Sequence, residues 1–217
     1  MRRLAIATLS LSLIAAAGLS ARADRITDAA AVLTEMASSF DSGIPKDLIA
    51  KAECIVIVPG VKKGAIGFGG QYGRGYMSCR QNGGWSAPSG MRVEGGSVGF
   101  QIGGSSTDVI LLVMNDRGVD KLLGSKFTVG ADAAVAAGPI GRQASAQTDA
   151  TMHAEMLAWS RSRGVFAGVS LQGSTLRTDT DENKDLYGRE LSAREVVKGT
   201  LKAPAAAAPL MSVLAKY

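Results

Sequence analysis

A single histidine, His153, and two cysteines, Cys54 and Cys79, are the whole supply of imidazole and thiolate metal ligands in 217 residues. Structural zinc takes four Cys or His ligands, so these residues alone cannot build such a site. Phosphate-gripping loops are missing as well: there is no P-loop signature and no G-x-G-x-x-G between a strand and a helix. Aromatic residues make up 5% of the chain. Trp85 and Trp159 read as core or rim residues rather than base-stacking platforms. No block of like charge follows the first residues, so bulk electrostatic capture of nucleic acid is not expected.

What is present begins at the N-terminus. Arg2 and Arg3 form a positive head, Leu4 to Leu19 is an uncharged run, and Ala21-Arg22-Ala23 is a small-x-small cleavage signature. Residues 1–23 are therefore expected to be a signal peptide cleaved before Asp24, giving an exported protein, periplasmic or extracellular and able to associate with a membrane. An uncleaved anchor is the alternative, but a span needs about 20 strongly apolar residues and this run is diluted by Ala and Ser. Loss of Arg2, Arg3 and Arg22 takes the net charge from +5 to +2, so much of the basicity belongs to targeting. An oxidising compartment favours a disulfide between Cys54 and Cys79, worth roughly 3 kcal/mol in the chain-entropy account. Two buried thiols are the alternative.

Residues 24 to 52 read as two helices, the first with Ile26, Ala30, Leu33, Ala37 and Phe40 on one face, the second opened by Pro45. Ile55 to Val58 is a β-branched strand closed by Pro59-Gly60. Gly64 to Arg80 is glycine-rich yet alternates: Tyr72, Arg74, Tyr76, Ser78 and Arg80 share one face, Met77 and Cys79 the other. Asn82-Gly83-Gly84 is a hairpin turn before Trp85. Strands follow at Met91 to Ile102 and Thr107 to Met114, then a helix at Asp116 to Leu123 capped by Asn115 or Asp116. Met152 to Trp159 leans to strand, Val165 to Leu171 is a strand, and Ser192 with Glu195 makes a capping box for a helix ending near Gly199. This pattern predicts an α+β fold: one domain over 24–200, a mainly antiparallel sheet with helices at both ends, and an Ala/Pro-rich tail at 201–217.

Two motifs suggest chemistry and are better explained without it. Gly95-Gly96-Ser97-Val98-Gly99 matches the nucleophile-elbow pattern, but the elbow needs a helix directly after the serine, and Val98 to Gly103 reads as a glycine-broken strand. Asp179, Asp181, Asn183 and Glu190 match a calcium-loop spacing, but Lys184 stands where the turn wants glycine, so a solvated acidic loop is expected. No catalytic residue, metal site or cofactor is assigned. The basic residues are more suggestive. Lys62 and Lys63 lie at a predicted turn and Arg74 and Arg80 share a strand face, a set able to hold phosphate head groups by charge-assisted hydrogen bonds.

From about Ala30 to Gly199 the chain resembles the SYLF domain family. The likeness rests on Ile44-Pro45 through Ala52, Gly69-Gly70-Gln71-Tyr72-Gly73-Arg74-Gly75, Trp85-Ser86-Ala87-Pro88 and Gly95-Gly96-Ser97-Val98-Gly99-Phe100-Gln101-Ile102-Gly103. It continues through Ala136-Ala137-Gly138-Pro139-Ile140-Gly141-Arg142, Ser160-Arg161-Ser162-Arg163-Gly164, Phe166 to Ser174 and Asn183-Lys184-Asp185-Leu186-Tyr187-Gly188. The resemblance implies a non-catalytic module that binds membrane phospholipids, phosphoinositides in eukaryotic members. Some fungal relatives also bind actin, a partner confined to eukaryotes. Eukaryotic relatives use a basic amphipathic N-terminal helix, whereas here Asp28 and Glu35 lie on its polar face and no Lys or Arg separates Arg25 from Lys46. The expected lipid contact therefore moves to Lys62, Lys63, Arg74 and Arg80. The alternative function is a structural or interaction module docking another envelope protein.

Overall fold

A computed structural model describes residues 24–38, 43–66, 68–98, 103–124, 126–133, 135–139, 154–162 and 173–217. The expected signal peptide, Phe40 and the strand Val165 to Leu171 lie outside these residues. The order is α1 (24–38), α2 (Lys46–Lys51), β1 (Cys54–Ile66), β2 (Phe68–Gln81), β3 (Gly84–Trp85), β4 (Ser89–Val98), β5 (Gly103–Val113) and α3 (Asp116–Leu122). Then come β6 (Phe127–Thr128), β7 (Val135–Ala137), β8 (Met156–Ser162), β9 (Thr175–Thr178), α4 (Thr180–Tyr187), α5 (Ala193–Lys198), a 3-10 turn (Ala205–Ala207) and α6 (Ala208–Leu214). The strands form a nine-stranded sheet in the order β6-β9-β4-β2-β1-β5-β8-β7, with β3 paired to β2. Pairing is antiparallel except between β7 and β8.

Strand alternation sorts the core into two layers. Val56, Val58, Met77, Met91, Val93, Val109 and Leu111 face one side, where α3, α5 and the segment from Phe127 to Ala133 cover them. Ile55, Ile57, Tyr76, Ile110, Leu112 and Trp159 face the other, under α1, α2 and α6. Helix α1 buries Ile26, Ala29, Ala30, Leu33, Met36 and Ala37, the three- and four-residue spacing of one helical stripe. Cys54 and Cys79 are directly opposed on β1 and β2, both buried, and are bonded.

Three departures from the sequence reading matter. Strand β1 does not stop at Pro59-Gly60 but bulges there: its register shifts between Val58 and Val61 against β5, and between Ile57 and Lys62 against β2. Gly60 adopts φ +54° at the bulge and donates its N–H to Asp108 Oδ1 at 2.9 Å. The bent strand closes onto β2, where a Cβ on Gly75 would sit 2.0 Å from the Ile57 carbonyl oxygen, so only glycine fits. Second, the acidic segment after Asp179 is not a solvated loop. Asp179 caps α4 by accepting from the Glu182 N–H, and Asp179, Glu182 and Asn183 are all buried. Third, the Ala/Pro-rich stretch Ala203 to Pro209, which reads as a linker before a last turn of helix, is itself partly ordered: Ala207 is buried in a 3-10 turn, and the helix after it packs Leu210, Val213 and Leu214 into the second layer. Ser97 and Val98 both lie within β4, so the residue directly after the serine continues a strand; Gly99 lies outside the described residues.

Candidate functional site

Where α1 crosses the bulged end of the sheet, a cleft of about 620 Å³ remains open. Arg25, Asp28, Ala31, Val32 and Glu35 form its helical wall, a pattern of three- and four-residue steps with one intervening position. Pro59, Gly60 and Lys62 of β1, Tyr72, Gly73 and Arg74 of β2, Ser106 and Asp108 of β5, and Arg161 of β8 form the strand wall. The bulge sets this wall. Past it, Lys62 stands between Tyr72 on β2 and Ser106 on β5 in one cross-strand row.

Most charges in the cleft are already paired. Arg25 Nη1 donates to Glu182 Oε2 at 2.7 Å, and the Tyr76 hydroxyl donates to Glu182 Oε1 at 2.6 Å. Arg74 Nε donates to Asp179 Oδ2 at 2.5 Å, and Arg74 Nη2 lies 3.4 Å from Glu182 Oε2. That hydrogen bond to Asp179 holds the Arg74 guanidinium charged against the opposing effect of burial. Burial pushes the Asp179 carboxyl upward, but the Arg74 guanidinium and the Glu182 N–H outweigh it and the carboxyl stays below its usual range. Burial, then the neighbouring Glu182 charge, pushes the Tyr76 phenol far above its usual value. Arg161 ties α1 to β5, with Nη1 2.5 Å from Glu35 Oε2 and Nη2 3.0 Å from Asp108 Oδ2.

What is left over defines the site. Among the described residues Lys62 and Asp28 line the cleft, are exposed, and have neither an ion pair nor a side-chain hydrogen bond. Tyr72, 48% exposed, is the exposed large apolar side chain among the described residues. It also borders a second cleft of about 520 Å³ lined by Glu94, Lys126 and Arg177, with Arg177 paired to Glu94.

The four cations expected to act together do not form one patch. Lys62 and Arg74 share the cleft, but Arg74 is committed to Asp179 and Glu182. Lys63 pairs with Gln71 rather than Tyr72, which puts it on the opposite face of the sheet. Arg80 lies at the far end of β2, donating to the carbonyls of Ile49, Ala50, Ala52 and Tyr217 and stacking 3.9 Å from the Trp85 ring centroid. Sequence reasoning did not select Tyr72 or Asp28 as site residues; an aromatic residue amid glycines is the signal that could have found Tyr72, and nothing local singles out Asp28. Among the described residues no three His, Cys, Asp or Glu side chains converge as metal ligands, and no helix is long and apolar enough to cross a bilayer.

Comparison with known proteins matches residues 94–217 to the Ysc84 family, described as "Las17-binding protein actin regulator". The chain is 39% identical over 176 residues to the SH3 domain-containing protein PJ696.02 of Schizosaccharomyces pombe, covering 79% of this chain and 40% of that one. It is 34% identical over 180 residues to LAS seventeen-binding protein 3 of Saccharomyces cerevisiae, covering 80% of this chain and 39% of that one. It is 33% identical over 179 residues to the human SH3 domain-containing YSC84-like protein 1, covering 82% of this chain and 52% of that one. The chain thus spans about two fifths to one half of the length of these curated relatives.

Proposed function

Since the chain belongs to the Ysc84 family, also called SYLF, we propose that it is an exported, non-catalytic phospholipid-binding protein of the cell envelope that meets the membrane through the rim of the cleft beneath α1. One observation carries this reading: Tyr72, half in solvent, is paired across strands with Lys62, a cation with no ion-pair partner among the described residues. Aromatic rings settle at the head-group level of a bilayer, and a basic residue beside an anionic surface adds about 1 kcal/mol. Lys62 can also share a phosphate with the Ser106 hydroxyl beside it in the row.

Vesicle co-sedimentation tests this. Wild type is expected to pellet with anionic vesicles, less so as salt rises, because exposed charges are screened over about 8 Å at physiological ionic strength. Lys62→Gln should weaken binding roughly fivefold, and Tyr72→Ala should weaken it further. Both side chains are exposed, so both variants should stay folded. Binding that both variants retain in full would refute the cleft rim as the contact. Failure of wild type to pellet with any vesicle would favour a protein-docking module instead.

A further inference from the structure

The cleft beneath α1 carries a charge pattern that a purely anionic ligand does not use. Arg161 pairs with Glu35 and Asp108, and Arg25 and Arg74 pair with the buried Glu182 and Asp179, which leaves, among the described residues, one ammonium, Lys62, on the strand wall and one carboxylate, Asp28, on the helix wall. A lone phosphate would be drawn to Lys62 and repelled by Asp28. Building on the phospholipid reading above, we infer that the cleft recognises a zwitterionic aminoalkyl phosphate, the phosphoethanolamine head group, with phosphate on Lys62 and Ser106 and the primary ammonium on Asp28. The two walls offer opposite charges to a ligand that holds opposite charges a few bonds apart.

The amine is primary rather than quaternary. A carboxylate accepts hydrogen bonds that only an N–H can give, and quaternary ammonium recognition relies on a cage of several aromatic faces. Tyr72 is the one aromatic side chain among the described residues lining this cleft. Its volume of about 620 Å³ lies in the roughly 300–1,000 Å³ range of ligand sites. It leaves room for the glycerol part of the lipid beside Ala31 and Val32.

The test titrates the purified protein calorimetrically with glycerophosphoethanolamine, glycerophosphocholine, glycerophosphoglycerol and inorganic phosphate. In parallel, vesicles containing phosphatidylethanolamine or phosphatidylglycerol are sedimented with it. Glycerophosphoethanolamine should bind most tightly. Asp28→Asn should cost it roughly tenfold, the weight of one charge-assisted hydrogen bond, while binding of glycerophosphoglycerol stays the same or improves. Lys62→Gln should weaken every phosphate ligand. An Asp28→Asn variant with an unchanged thermal midpoint and an unchanged preference overturns the amine site but leaves the phospholipid reading standing. Soluble glycerophosphoethanolamine binding with no vesicle binding supports the amine site and overturns the membrane reading. If neither variant alters any binding, both fall.

Discussion

Replacing Arg74 by glutamine separates a structural cation from a ligand-binding one. In the folded protein Arg74 faces two buried carboxylates, Asp179 at 1% and Glu182 at 3% exposure. Glu182 keeps two other donors, Arg25 and Tyr76. Among the described residues Asp179 keeps one side-chain hydrogen bond, from the Glu182 N–H at 3.2 Å, so the substitution leaves a buried carboxylate without its paired guanidinium. Breaking a buried pair costs about 3–5 kcal/mol. Arg74 is itself 28% exposed and glutamine can donate one neutral hydrogen bond, so the low end applies, about 3 kcal/mol. In a domain of this size that is a fall of roughly 6–12 °C in melting temperature. The pH dependence supplies a second readout. In wild type the folded Asp179 value lies below the unfolded one, so its contribution is present above about pH 4 and fades as pH falls through the lower folded value. Without Arg74, burial acts on Asp179 with much less opposition and raises its folded value above the unfolded one. The gap between wild type and variant should then narrow as pH drops from 7 toward 4. Urea unfolding at several pH values measures this, and adding Asp179→Asn to Arg74→Gln should recover most of the loss at neutral pH. A gap under about 1 kcal/mol at pH 7, or one that does not change with pH, would refute the reasoning.

Other outcomes follow from the same contacts. Denatured, unreduced protein from its native compartment should show no free thiol, and Cys54→Ala with Cys79→Ala should destabilise by about 3 kcal/mol, since the bond closes a loop of sequence separation 25. Labelling of two thiols would sink the bridge. The intact mass of the protein recovered from its native compartment should correspond to a chain starting at Asp24; a mass that retains residues 1–23 would restore the anchor reading.

The legible parts of this fold are those with local causes. The alternation along β2 placed Tyr72, Arg74 and Tyr76 on one face, Asn82-Gly83 marked its hairpin, and Asn115 and the Ser192–Glu195 box marked helix starts. Pro59-Gly60 was misleading because it resembles a strand end, while the bulge that absorbs it depends on Asp108, far along the chain. The tail carried a faint signal in Leu210, Val213 and Leu214 at helical spacing, masked by the Ala/Pro run before it. The site was the hardest part. Whether Arg74 is free or paired is decided by Asp179, 105 residues away, and nothing near Arg74 announces that acid. Lys62 and Lys63 look equivalent in sequence, but a pleated strand sends adjacent side chains to opposite faces.

The second core layer is closed by the two ends of the described chain, α1 and α6, over strands that lie between them in sequence. Hairpin-linked strands such as β1 and β2 can pair early, since their loop closure is short. The face carrying Ile55, Ile57, Tyr76, Ile110 and Leu112 must wait for Leu210, Val213 and Leu214, contacts of large sequence separation that slow folding. Until α6 docks, that face stays uncovered and adhesive, a surface for a chaperone or for another copy of the chain. A lesion near residue 210 would therefore be expected to act first on yield during folding and only second on the properties of the finished protein.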